Sequence, residues 1–488
     1  MTNDDHTGAD VPAREEGTHS LSAARAATLI GTPPPRPTSR VKPVLLMGLL
    51  SVVAVVAIGF FHRLVPSPSQ PEDQRSYTTM PTIGYSGSAT STGAISPAWA
   101  SGVETAWRIP FPSTKYGPRA LTTVEGTTLY ALFEDPDRPT HQVTAAAFDI
   151  SSEQPRELWR TTGPLPNSLG RPSFVSYEDQ FIVGSIVVNK ASGAQSLAPW
   201  EGSEALAAVD GIVVACDNKR ACSGWAQEAS SWVRQWETTT ANQQGSLSTL
   251  TKLTYPDTPV IGTGEHESVV LPVDSQTHAA QLLDPRTGQV TDVGSVSPFR
   301  DRQNNVVSFA FASDGIVAFN DDLFVTYDAD GFITGTQSYE KSMRRPTRDG
   351  RMPSTSELGD FLVGGLPAWS NATVFRSTTG TGGSPSTLTV TPSDESPSLD
   401  LDPTNNDQSH YDGNFLPSEV RASTDASVVY VESVDHANGG NRFFFDTASG
   451  LGHGSEELRD AEDLLWAFDD LAIGVTIDGI VAFTPKAS

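Results

Sequence analysis

Short runs of Val, Ile, Phe and Tyr, broken by Asp-Gly, Thr-Gly or Ser-Gly pairs, fill the chain from residue 103 to residue 488. Runs of this length and composition, bounded by turn residues, predict strands, and no long helical period interrupts them. The nearest helical pattern is one short segment, "SEELRDAEDLLWAF". The predicted class is therefore all-β.

An Asp-Gly-Ile-Val core recurs at Asp210, Asp314 and Asp478, at separations of 104 and 164 residues. Those separations are two intervals of about 52 and three of about 55, the length of a four-stranded sheet unit. A related "VEGTTLYAL" begins at Val124. Four further stretches, "YEDQFIVGSIVVNKASGAQSLAPW", "HESVVLPVDSQTHAAQLLDPRTGQV", "LGDFLVGGLPAWSNATVF" and "DASVVYVESVDHANGGNRFFFDTASG", fill the gaps. The count is eight units, with seven as the alternative. Asp-Gly suits a tight hairpin because both central residues of such a turn take positive φ. The last unit has three strands in "LLWAFDDLAIGVTIDGIVAFTP" and no fourth, whereas "VETAWRIPF" at 103–111, with Trp107, has the missing character. Pairing the two ends closes a ring without an open sheet edge, so the prediction is a β-propeller closed by its N-terminal strand.

The chain before residue 103 has a different texture. Residues 1–42 are polar and include "GTPPPRPTSR", which predicts a disordered tail. Residues 43–61, "PVLLMGLLSVVAVVAIGFF", carry no charge, and as a helix would extend about 28 Å, close to the hydrocarbon thickness of a bilayer. One transmembrane helix is expected there. Between residues 17 and 42 the flank holds Arg25, Arg36, Arg40 and Lys42 and no acid, which places the N-terminus in the cytoplasm and residues 62–488 outside. An uncleaved signal anchor is preferred to a signal peptide, since the leader is long and no small-x-small cleavage site follows directly. No cysteine follows either, which excludes a lipoprotein anchor. Residues 62–102, rich in Ser, Thr, Pro and Gly, read as a flexible spacer.

The net charge of −26 lies wholly after residue 61, because residues 1–61 contain five basic and five acidic side chains. Such a field repels nucleic acid and anionic lipid and favours solubility. Both cysteines, Cys216 and Cys222, sit in "VVACDNKRACSGW", where a short polar turn flanked by strands can bring them to disulfide distance. An oxidising exterior favours the bond, and its reading is a structural staple.

The units resemble the pyrroloquinoline-quinone-like (PQQ-like) repeat family of β-propellers. The residues that carry the resemblance are Ala147, Asp149 and Trp159 in "AFDISSEQPRELW", Gly193 and Trp200 in "VVNKASGAQSLAPW", Asp284 and Gly288 in "LLDPRTGQV", and Asp446 and Gly450 in "FFDTASGLGHG". It extends over nearly all of 103–488 and implies a tryptophan docked between blades. Some members of that family are quinone-dependent dehydrogenases, for which the resemblance implies an adjacent cysteine pair and a calcium site with a catalytic carboxylate. No two cysteines are adjacent here. Other members use the ring as a protein-binding scaffold in envelope assembly, without a cofactor.

The remaining chemistry is sparse. "YDADGFITG" sets Asp328 and Asp330 at a calcium-loop-like spacing, but at the place where each unit makes its third hairpin, so a turn is the preferred reading. "LDLDPTNNDQSHYDGN" offers Asp400, Asp402, Asn405, Asp407 and Asp412 inside an insertion at about 377–415, which otherwise reads as a mobile acidic loop. No His-x-x-x-His pair, Gly-x-Ser-x-Gly elbow or phosphate-binding glycine loop is present. Glu265, His266 and Glu267 in "GEHES" receive no role. The expectation is a membrane-anchored, extracytoplasmic, non-catalytic propeller that binds an envelope protein or component. No cofactor is expected, and calcium is the one cation the acidic loops suggest. The alternatives are a quinone- and calcium-dependent dehydrogenase and a ligand-sensing ectodomain.

Overall fold

The computed structural model describes residues 81–488 apart from 112–119, 135–141, 165–173, 201, 218–220, 241–258, 275–278, 294–306, 321, 341–343, 349–350, 378–386, 395, 403, 408–416, 434–440, 478 and 488. These belong to one compact unit spanning 76–488. The tail expected over 1–42, the apolar segment 43–61 and the spacer up to residue 80 lie outside the described residues. Among the described residues no helix is long and apolar enough to cross a membrane.

Eight antiparallel sheets of four strands make up the body. The first strands of the successive sheets begin at Ala120, Phe174, Ser203, Val260, Ser308, Arg345, Pro417 and Glu462. In seven sheets the strands follow one another in chain order, and first strands of adjacent sheets approach each other between blades 1 and 8, 2 and 3, and 6 and 7, as they do around the axis of a propeller. The protein is an eight-bladed β-propeller, and the count of seven is excluded. The middle strands are buried on both faces, as in Ile316, Val317 and Ala318 of blade 5 or Val428 to Val431 of blade 7. Burial on both faces explains why they read as continuous apolar runs and not as strict alternation.

The eighth blade is completed from the other end of the chain. Its strands Glu462–Phe468, Leu471–Thr476 and Gly479–Pro485 are followed outward by Val103–Pro110, with Val103 opposite Pro485 and Pro110 opposite Gly479. Trp107 is fully buried in this closing strand, within an apolar cluster that includes Ile109, Phe133, Phe148 and Phe468 and so joins the last blade to the first.

Two of the repeated cores do the same work. Asp210 and Gly211 turn between the first two strands of blade 3 with φ of 49° and 75°, the left-handed pair that Asp-Gly accommodates. Asp314 stands at the same turn of blade 5. The third core is displaced: Gly479 opens the third strand of blade 8, one hairpin later, while Asp478 lies outside the described residues.

Three other expectations are corrected. Residues 81–102 are not spacer: Tyr85, Ile95 and Trp99 are buried against the propeller, and Pro97–Ser101 forms a 3-10 turn. Three large apolar side chains among small polar ones suffice to anchor the segment. The insertion at 377–415 is not one loop, because Thr387–Pro392 and Leu399–Leu401 are the outer two strands of blade 6, with Leu388, Val390 and Leu401 alternating into the core. Finally, the first five residues of "LGDFLVGG" are helical. Thr355–Leu362 is an α-helix that starts with a capping box between Ser354 and Glu357 and packs Leu358 and Phe361 on blade 5. In "SEELRDAEDLLWAF" only Glu456–Asp460 is helical, and the rest is the first strand of blade 8.

Candidate functional site

The Asp and Gly residues behind the family resemblance fall in one place, the turn between the third and fourth strands of a blade, while Trp159 lies in a fourth strand and Trp200 follows one. In blades 1, 2, 4 and 7 an Asp or Asn ends the third strand, or in blade 4 directly follows it, and folds its side chain over the turn. Asp149 accepts from Ser151 N at 3.1 Å, Asn189 from Ser192 N at 3.0 Å, Asp284 from Arg286 N at 2.9 Å, and Asp446 from Ala448 N at 3.0 Å. A positive-φ glycine four residues on closes the turn in three of these: Gly193, Gly288 and Gly450, at 71°, 73° and 70°. Each of these glycines donates its N–H back to the carbonyl of the Asx residue at 2.8 to 2.9 Å. This is local side-chain capping of a turn, the use for which Asp and Asn are favoured.

Tryptophan then locks one blade to the next. Trp159, in the outer strand of blade 1, donates its indole N–H to Lys190 O at 2.8 Å and lies so close to Gly193 that a Cβ there would be 2.3 Å from the ring. Trp236 of blade 3 repeats this on blade 4, with Pro285 O at 2.8 Å and Gly288 beneath the ring. Elsewhere the seam differs. Thr291 covers Gly331 between blades 4 and 5, and Asn405 reaches Gly450 O at 3.0 Å between blades 6 and 7. Trp200 packs instead on Trp225 and Trp232 between blades 2 and 3. At the closing seam Trp107 is buried, and its indole N–H finds no partner among the described residues.

The candidate cation ligands are engaged otherwise. Asp328 ends the third strand of blade 5 and caps its own turn, accepting from Asp330 N at 3.1 Å and Phe332 N at 2.8 Å. Asp330 faces His266 across the blade 4–5 seam, Oδ2 to Nδ1 3.1 Å. Asp400 accepts from Thr389 Oγ1 at 2.7 Å and Asp402 from Thr404 N at 2.8 Å. Asp407 pairs with His453 at 3.1 Å, and Asp412 lies outside the described residues. Among the described residues no three His, Cys, Asp or Glu side chains converge as a metal-ligand group. Glu265 and His266 belong to a short 3-10 turn, and the carbonyls of Gly264, Glu265 and Glu267 accept from the Arg286 guanidinium.

Cys216 and Cys222 form a disulfide, directly opposite one another on the second and third strands of blade 3 with Cα atoms 4.1 Å apart. Both are buried, so the bond staples the hairpin and presents no reactive sulfur to solvent.

Sequence reasoning missed two charged constellations and a strap. The carboxylate of Glu457, 2% exposed, is held by Arg108 of the closing strand through Nε to Oε1 at 2.9 Å and Nη2 to Oε2 at 2.7 Å, with Thr105 Oγ1 a third donor at 2.7 Å. Between blades 7 and 8, Arg421 pairs with Glu419 at 2.8 Å and lies over Trp466, while Arg442 reaches Glu432 at 3.3 Å and the carbonyls that end the helix Glu456–Asp460. Burial, reinforced by the Glu432 carboxylate, pushes the Tyr430 phenol well above its ordinary range and leaves it a neutral donor to Glu432. The strap is residues 81–101, which run over blades 1, 8 and 7. Ile83 N and Gly84 N donate to Thr105 O and Ala106 O, Tyr85 Oη donates to Asp470 Oδ1 at 2.7 Å, Thr92 N and Oγ1 donate to Asp469, and Trp99 stacks on Phe444 at 4.1 Å. An aromatic every dozen or so residues in a Ser/Gly-rich stretch was the available signal.

No family model matches the chain, and no curated protein matches it. Among solved structures, similarity extends to WD40 propellers at very low identity. The WD40 domain of SCAP from fission yeast is 8% identical, covering 79% of this chain and 98% of that one at a TM-score of 0.43. Sqt1 of Saccharomyces cerevisiae is 9% identical, covering 80% and 100% at 0.42, and the C-terminal WD40 domain of Sif2 is 9% identical, covering 80% and 99% at 0.41.

Proposed function

We propose that the protein is a non-catalytic binding scaffold, a propeller of the PQQ-like repeat type held at the outer face of a membrane by residues 43–61, where it engages an envelope protein or component. The observation that carries this reading is the Asx-capped, glycine-closed turn covered by a tryptophan of the preceding blade, at Trp159–Gly193 and Trp236–Gly288. The same turns bear on chemistry, because Asp149, Asp284, Asp328 and Asp446 direct their carboxylates to their own backbone N–H groups. A ring of rigid blades then offers its faces and axial mouth as contact surfaces, an argument by analogy of fold. The protein works in this reading without quinone or calcium.

In-cell crosslinking of the full-length chain, with identification of what is captured, tests the scaffold role. One recurrent envelope protein in near-equal amount supports it. Purified protein that carries a quinone chromophore or stoichiometric calcium overturns it in favour of the dehydrogenase. Anchoring is tested separately: the chain stays in the membrane fraction after alkaline carbonate washing, and its release refutes the span at 43–61.

A further inference from the structure

Each of the eight sheets ends in an outer strand with no further strand beside it among the described residues. Such an edge offers a row of unpaired N–H and C=O groups, and proteins blunt it by shortness, charge, proline or a covering segment. Seven of the outer strands carry at least one of these devices. Those of blades 2, 4, 6 and 7 are two to four residues long: Gln195–Leu197, Val290–Val293, Leu399–Leu401 and Gly452–His453. Arg156–Pro164 of blade 1 holds Arg156, Glu157 and Arg160, and Ser231–Thr239 of blade 3 holds Arg234 and Glu237. The closing strand of blade 8 holds Glu104 and Arg108 and receives the N–H groups of Ile83 and Gly84.

Blade 5 is the exception. Its outer strand Ile333–Ser338, "ITGTQS", has six residues with neither charge nor proline, all exposed except the half-buried Gly335. Phe332, just before it, is 70% exposed, the most exposed large apolar side chain among the described residues. A bulge interrupts the pairing between Ile333 and Gly335, as one does in the outer strands of blades 1, 3 and 8. Beyond it the register is regular, with Gly335 to Ser338 opposite Thr326 to Leu323. Tyr339 N donates to Asp322 O at 3.0 Å. Antiparallel bonds alternate along a ladder, so the inward-facing groups continue at Gln337 and Gly335, and the N–H and C=O groups of Thr336 and Ser338 point outward.

Charge selects the occupant. The strand sets no charged side chain against an incoming one, but both of its ends are acidic: half-exposed Asp330 stands in the turn that opens it, and exposed Glu340 lies two residues past its end. Two copies of this strand paired antiparallel and in register would bring Asp330 of each toward Glu340 of the other, on chains that each carry a net charge of −26. A segment with cationic flanks meets opposite charge at both ends instead. We propose that the outer edge of blade 5 is a β-strand acceptor for an extended, uncharged segment of a partner protein that has Lys or Arg at each flank. Backbone bonds at Thr336 and Ser338 give affinity, Phe332 packs on the added strand, and Asp330 and Glu340 select its flanking charge. The proposal rests on the scaffold reading and deepens it by naming the contact strand.

The probe is a terminally blocked peptide of alternating valine and threonine, as long as the strand, with a pair of lysines at each end, titrated into the full chain. Hydrogen exchange is expected to show new protection in Ile333–Ser338 and none in the outer strands of blades 1 and 3. Thr336→Pro removes an outward N–H and leaves the ladder to Leu323–Asp328 its bonds, so binding should weaken about 10-fold. The same peptide N-methylated at alternate residues, which leaves the protein unaltered, should lose a similar factor, and a glutamate-flanked peptide should bind about 10-fold more weakly at low salt. Absence of protection at millimolar peptide overturns the proposal. So does binding that is undiminished by methylation or by Thr336→Pro, or that is equal for the two flanking charges. Protection that needs no peptide and grows with protein concentration overturns it in favour of self-pairing. If the peptide fails while crosslinking still captures an envelope protein, this edge is refuted and the scaffold reading stands.

Discussion

Removing Arg108 should loosen the ring at its seam. Glu457 is 2% exposed and Arg108 11% exposed, and the two share a bidentate contact at 2.7 and 2.9 Å. Arg108→Ala leaves a buried carboxylate with the Thr105 hydroxyl as its remaining donor among the contacts described above. Breaking a buried pair from one side costs about 3–5 kcal/mol, because the surviving charge keeps its desolvation penalty and loses its compensation. Replacing both partners by apolar groups of similar volume removes the charge altogether. The double variant Arg108→Met/Glu457→Met should therefore be within about 1 kcal/mol of the native protein or more stable. Equilibrium denaturation in guanidinium gives the free energies. Hydrogen exchange gives the location, since amides of Gly479–Thr484, which pair with the closing strand, should exchange faster in Arg108→Ala than those of blades 3 to 5. A loss below about 1 kcal/mol in the single variant, or a double variant as damaged as the single one, would refute a seam held by this buried pair.

Four further outcomes are expected. A chain beginning at residue 103 should melt well below one beginning at residue 81, because it lacks the buried Tyr85, Ile95 and Trp99; equal melting temperatures would show the strap to be ornamental. Trp236→Phe keeps most of the ring but loses the bond to Pro285 O and should cost about 1 kcal/mol, while Gly288→Ala, at φ 73° and with the ring 2.6 Å from the new Cβ, should cost more, as thermal denaturation of both variants would reveal. Replacing both Cys216 and Cys222 by Ala should cost about 2 kcal/mol in chemical denaturation, the modest value of a short closed loop. Acid should destabilise the fold through its turns. Hydrogen bonds from Ser151, with Arg156 adding to them, hold Asp149 below the ordinary 3.8; at Asp446 burial works upward, but the bonds from Ser449 and Ala448 outweigh it and the carboxyl is again lowered. Folded values below the unfolded ones mean a contribution fully present above about pH 5 and lost as the pH falls through the folded values. Stability that rises between pH 5 and pH 3 would contradict this.

Much of the architecture was legible in the sequence because the blades bury their middle strands on both sides. Runs such as Ile316–Val317–Ala318 cannot be anything but core, and the Asp-Gly pairs that bound them have a conformational reason to be there. The ring closure followed from a missing strand at one end and an extra one at the other. The repeat arithmetic was less sound. Gly479 stands one hairpin later than Gly211 and Gly315, so the interval of 164 residues reached the right number of blades through a displaced register. What stayed hidden was structure made from few apolar residues. Leu388 and Val390 hold a strand of blade 6 within a Thr/Ser-rich stretch, and Tyr85 and Trp99 hold the strap, yet local composition in both places resembles a linker. The Arg108–Glu457 pair joins positions 349 apart in the chain, a coupling no local pattern can display.

Completing the last blade with the first strand sets the order in which the molecule can be finished. During synthesis the strand Val103–Pro110 emerges well before its partner Gly479–Pro485, which is made some 370 residues later. Until that partner is made the strand has no ladder to join, and Trp107 has no complete core to enter. Bringing the two ends together costs about 5 kcal/mol of loop-closure entropy for some 380 intervening residues if they are still unfolded, and far less once seven blades have already curved the chain back on itself. Closure is therefore expected as the final, slow event of folding. Until it happens, the waiting strand is the part of the nascent chain most exposed to mispairing, and a ribosome-stalled intermediate ending before residue 479 should be the species that chaperones hold.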